Sequence, residues 1–108
     1  MKVIMVEPRK EAYIKEIGNE LEDMQNSVNG YIQAVYPFED PVAVIMDEEG
    51  KLKKTAKANR PIYDENGKIA DILYGPFIIC GVGGEDFTDI PENLIQKYIK
   101  MFPLPGKE

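Results

Sequence analysis

Residues 72–82 constrain the fold of this chain more than any other segment. The stretch is the most apolar of the sequence, and Gly75-Pro76 falls inside it. A continuous apolar run of this length suits a buried strand and is too short to span a bilayer as a helix. Proline has no N–H to give to a ladder. The strand is therefore expected at a sheet edge, or bulged, where Pro76 falls.

Other segments supply its partners. Lys2–Val6 is a compact apolar run ending near Pro8 and reads as a central strand. Residues 11–17 read as a second strand, antiparallel to the first through Glu7-Pro8-Arg9-Lys10. A short helix follows, with Asn19 as its cap and Glu22 completing a capping box. Leu21, Met24 and Val28 form its apolar face, and Asn29-Gly30 supplies a left-handed stop. Residues 31–36 alternate as a strand, and residues 42–46 form a continuous apolar strand closed by the turn Asp47-Glu48-Glu49-Gly50. The short connection between these two strands predicts an antiparallel pair. Residues 51–61 are basic and are assigned no element, and Asp64-Glu65-Asn66-Gly67 is a turn. The last element is an amphipathic helix over residues 90–102, capped by Asp89 with Glu92 three residues on, and stopped by Pro103. The expected architecture is one α+β domain over residues 1–108: a mainly antiparallel sheet of about five strands with two helices packed on it.

The composition narrows the chemistry. With 44% apolar and 30% charged residues, the chain of 108 can build a real core. The N-terminal apolar stretch is too short for a secretory signal, and one cysteine makes no internal disulfide, so a cytoplasmic location is expected. There is no histidine, which removes the usual general base near neutral pH and the commonest metal ligand. Cys80 lies among Ile78, Ile79 and Gly81 with no cationic neighbour and reads as an inert core residue. Gly81-Val82-Gly83-Gly84 is followed by Glu85-Asp86, which would repel a phosphate, so it reads as a flexible strand-to-helix connection. The acidic clusters Asp47-Glu48-Glu49, Asp64-Glu65 and Glu85-Asp86 lack the spacing of a calcium hand; the first two read as solvated loop tips. The expectation is a non-enzyme with no metal site and no cofactor.

Charge is distributed unevenly. From residue 16 to residue 50 there are nine acids and no Lys or Arg; from 51 to 61 there are Lys51, Lys53, Lys54, Lys57 and Arg60 and no acid. One reading is ordinary surface solvation. A second makes the basic segment a grip for a phosphate-bearing ligand, through Lys54, Lys57 and Arg60. A third has the acidic surface docking on a basic protein. Duplex nucleic acid is disfavoured as a partner by a net charge of −6. No membrane contact is expected, and a homo-oligomer is compatible with the sequence. Asn59-Arg60 stands out, because Arg offers a rigid donor fork and Asn both donor and acceptor. Its structural alternative is a turn before Pro61, with Arg60 paired to a nearby acid.

Four motifs in order, Val28-Asn29-Gly30-Tyr31-Ile32-Gln33, Asp47-Glu48-Glu49-Gly50-Lys51-Leu52, Asn59-Arg60-Pro61 and Tyr74-Gly75-Pro76-Phe77-Ile78-Ile79, resemble domain of unknown function 3846. The resemblance covers nearly the whole chain and adds Tyr31 to the candidate binding residues Lys54, Lys57, Asn59 and Arg60. Glu48 and Gly75-Pro76 depart from the family pattern, which leans toward Asn before Glu-Gly and Gly-Thr before the last strand. The family carries no defined activity. It implies an accessory protein of a phage, plasmid or conjugative element, acting on a host protein, one of host defence in particular, through protein contacts. The alternative is a small domain that binds a phosphorylated metabolite or nucleotide.

Overall fold

The apolar run that dominates the sequence is two strands, not one. The computed structural model describes residues 1–104. In chain order it contains β1 (Lys2–Val6), β2 (Tyr13–Glu16), helix α1 (Leu21–Val28), β3 (Ile32–Val35), β4 (Val42–Asp47), β5 (Ala58–Tyr63), β6 (Ile69–Tyr74), β7 (Phe77–Gly83), β8 (Asp86–Thr88) and helix α2 (Ile95–Met101). Gly75, at φ +75°, turns the chain between β6 and β7, a conformation costly for any residue with a Cβ. Pro76 thus lies in the corner between strands, where its missing N–H costs no ladder bond. The expectation of a single edge or bulged strand over 72–82 is corrected: β7 is central, and β6 belongs to a separate hairpin.

The main sheet is antiparallel and six-stranded, in the order β2-β1-β7-β4-β3, with β8 paired to the end of β7. Strand β7 is buried on both faces, which explains why Phe77, Ile78, Ile79 and Cys80 are all apolar rather than alternating. One face carries Ile4, Val6, Val44, Phe77 and Ile79; it is covered by α2 and by the β5–β6 hairpin through Ile62 and Leu73. The other carries Val3, Met5, Ala43, Ile45, Ile78 and Cys80, packed against Met24 of α1. The two helices therefore lie on opposite faces. The α+β class, the antiparallel sheet and both helices agree with the sequence reading; the separate β5–β6 sheet and β8 are additions to it.

Several local expectations shift. Helix α1 is capped one residue later than expected: Glu20 is the cap, and its backbone N–H donates to the Asp23 carboxylate at 3.0 Å. Asn29, at φ 61°, ends the helix as expected. The last helix is shorter than 90–102. Residues Glu92–Leu94 form a 3-10 turn before α2, and Asp89 accepts the backbone N–H of Lys2 at 2.9 Å instead of capping a helix. The glycine run is no strand-to-helix connection either. It ends β7 and makes the tight turn into β8, with Gly84 at φ 63° and Gly83 opposite Asp86.

Candidate functional site

The sequence motifs converge on one end of the sheet. Strands β1 and β4 end there, and β3 and β7 begin there, because all are antiparallel neighbours or next neighbours. The connections at this end are residues 7–12, 29–31, 48–57 and 75–76. Their backbones carry polar groups that must find partners when buried.

Asn59 and Arg60 provide those partners from inside. Both are buried, at 5% and 2% exposure. The Asn59 amide donates to the carbonyls of Val6 at 3.0 Å and Gly75 at 2.8 Å, tying β5 to the end of β1 and to the corner before β7. The Asn59 side-chain oxygen accepts from the Arg60 guanidinium at 2.7 Å, and Arg60 also donates to the Lys10 carbonyl at 2.5 Å. Arg60 therefore packs against carbonyl oxygens and pairs with no acid among the described residues. Burial of its charge lowers its pKa from the ordinary value. The pair works as an internal bracket.

The basic segment is largely consumed in the same way. Lys51 meets Asp71 at 2.6 Å, and that hydrogen bond, more than any other contact, lowers the Asp71 pKa. Lys53 meets Asp47 at 2.5 Å and donates to the Asn29 carbonyl at 2.6 Å. Asp47 is the last residue of β4 and is buried, so it is not the solvated loop tip that its neighbours Glu48 and Glu49 are. The Asp47 carboxylate also accepts the Glu49 backbone N–H at 3.0 Å. Gly30 makes room for this clasp, since a Cβ there would stand 2.5 Å from the carboxylate oxygen. Among the described residues only Lys54 and Lys57 of the five cations keep no such partner.

Three of the candidate residues therefore remain at the surface, in two places. Tyr31, 71% exposed, begins the β3 side of this end. Lys54 and Lys57 lie exposed on the loop leading into β5. Lys57 borders a cleft of about 180 Å³ with Lys53, Thr55, Asn29 and Pro76; Tyr31 borders a separate one beside Asn29 and Gly30. The first has room for a phosphate-sized group and is well below the volume that ordinary ligand pockets offer. The Asp47–Lys53 clasp, which lines the first cleft, escaped the sequence reading. Its only local signal is an acid closing an apolar strand, six residues before a lysine.

Cys80 is fully buried, and burial pushes its thiol up to about 12. Among the described residues no three His, Cys, Asp or Glu side chains stand close enough to hold a metal ion. No described helix is long and apolar enough to cross a membrane. A family model for a domain of unknown function (DUF3846) matches residues 1–103. Comparison with curated proteins and with solved structures found no match.

Proposed function

The chain belongs to the DUF3846 family, and from that footing we propose that it is a non-enzymatic binding protein of a phage or other mobile element, modulating a host protein through protein contacts. One observation carries this reading. Folding uses most of the basic segment internally, while Glu39, Glu48 and Glu49 stay exposed and without a cation partner among the described residues, beside the exposed rings of Tyr31 and Tyr36. Unneutralised acids around exposed aromatic side chains favour a basic protein surface and repel nucleic acid and phosphates.

The test compares capture from bacterial lysate by the full chain and two charge-reversed variants. Glu39→Lys with Glu48→Lys and Glu49→Lys should lose the captured proteins, whereas Lys54→Glu with Lys57→Glu should retain them. Loss on lysine reversal with indifference to acid reversal would overturn the reading. The ligand alternative has its own signature in thermal unfolding: specific binding of pyrophosphate or ATP raises the midpoint with concentration. The small cleft beside Lys57 favours, at most, the phosphate-sized probe.

A further inference from the structure

The two edges of the main sheet differ in how they are protected. An edge strand presents unpaired backbone groups and is commonly guarded by charge, proline or a bulge. At one edge, β2 carries Lys15 and Glu16 and follows a loop with Pro8, Arg9 and Lys10. At the other edge, β3 reads Ile32-Gln33-Ala34-Val35, with no charge, no proline and a regular register to β4. The Glu48 N–H donates to the Tyr31 carbonyl at 2.9 Å, which makes that pair a hydrogen-bonded one. By strict alternation, Gln33 and Val35 also turn their backbone groups toward β4, and Ile32 and Ala34 turn theirs outward.

The space beside that edge is shaped for a side chain. A cleft of about 280 Å³ lies between Gln33 and Met46 of the sheet and Leu52 and Ile72. A separate, larger one, of about 740 Å³, lies among Pro37, Phe38, Ala70, Tyr63 and Met101. Strand β6 thus flanks both clefts, but it offers no competing ladder at Ile72. That N–H is taken by the Asp71 carboxylate at 2.8 Å, and the residue opposite it is Pro61. Apolar side chains on the walls stand open to solvent, Leu52 at 84% and Tyr63 at 58% exposure, and the cations that also line them are already paired, Lys51 of the smaller cleft with Asp71 and Lys97 of the larger with Asp40. The rims are acidic, with Glu48 on the smaller cleft and Glu39 and Glu65 on the larger.

From this arrangement we infer that an extended, basic peptide segment of a partner protein adds as a further strand at the free edge of β3, pairing with Ile32 and Ala34 and placing alternate apolar side chains in the clefts against β6. The inference rests on the protein-contact reading above and names its surface and partner chemistry. Backbone pairing supplies affinity in such additions, and pockets for alternate side chains supply specificity. The acids select the sign of the flanking charge. A second copy of this chain is the wrong occupant, because antiparallel pairing through β3 would bring Glu39 of one copy toward Glu48 of the other.

The test titrates the isotope-labelled full chain with an acetylated, amidated peptide of alternating Lys and Val, and with its counterpart of alternating Glu and Val. The lysine peptide should shift the Ile32 and Ala34 amide signals and slow their hydrogen exchange, with an affinity that weakens as salt rises. Gln33→Lys adds the guard that β3 lacks and should lower that affinity about ten-fold, as should Glu48→Lys on the exposed rim. If either variant fails to fold, the other gives the same readout. Absence of binding, equal binding of the two peptides, shifts centred on β2 or on Lys54 and Lys57, or self-association that protects β3 without peptide would each overturn the inference. A failed peptide together with acid-dependent capture from lysate removes the β3 edge alone; capture indifferent to acid reversal removes the protein-contact reading with it.

Discussion

At the scale of single residues, Asn59 and Arg60 illustrate how a polar pair with binding chemistry can be spent on the fold. Asn59 satisfies two carbonyls and accepts from Arg60 in a site with 5% exposure. Removing it leaves buried acceptors unpaired, each of which costs on the order of 1–3 kcal/mol. Asn59→Ala should therefore destabilise the protein by about 2 to 3 kcal/mol in urea unfolding while leaving the exposed acids untouched. A loss below about 0.5 kcal/mol, the range of an ordinary surface change, would contradict the bracket. The donor capacity of this pair was legible in the sequence, and its destination was not. The carbonyls it serves belong to Val6, Lys10 and Gly75, far along the chain, and nothing local to Asn59 announces them.

At the scale of elements, what was legible is what is local. Apolar runs marked β1 and β4, and the Asn29-Gly30 stop marked the end of α1, because pattern and cap chemistry act over a few residues. Gly75-Pro76 could be a bulge or a corner; only the pairing of β6 with β5 and of β7 with β1 and β4 decides, and those partners are distant. Asp89 is a good helix cap by type but is held by the Lys2 amide instead. The docking of α2 onto the β3–β4 connection makes a measurable prediction. Asp40 accepts from Tyr98 at 2.6 Å and from Lys97 at 2.5 Å. The bond from Lys97 first, and then that from Tyr98, lowers the Asp40 pKa below its ordinary 3.8, and burial first, then Asp40, raises Tyr98 above its ordinary 10.0. A lowered acid stabilises the fold above its unfolded value and loses that contribution as pH falls through the folded one. A raised phenol contributes fully below 10.0 and loses its contribution as pH climbs beyond that value. The urea midpoint should therefore fall at both ends of the pH scale. Asp40→Asn should flatten the acid limb, and Tyr98→Phe the alkaline one; limbs unchanged by either substitution would contradict the docking described.

At the scale of the whole molecule, the uneven charge acquires a direction. The basic segment folds back on Asp47, Asp71 and backbone carbonyls, so the positive patch suggested by the sequence shrinks to Lys54 and Lys57. The acidic stretch keeps Glu39, Glu48 and Glu49 at the surface, next to the β3 edge, which carries no charge or proline of its own and is left uncovered by any strand among the described residues. The central claim is that this side of the molecule, rather than the lysine loop, meets a partner protein. The direct measurement is amide hydrogen exchange across the full chain, free and in complex with the protein it captures from bacterial lysate. The account predicts slowed exchange at Ile32 and Ala34, with residues 53–57 unchanged. Slowed exchange confined to residues 53–57, with the β3 edge as fast as in the free chain, would contradict it.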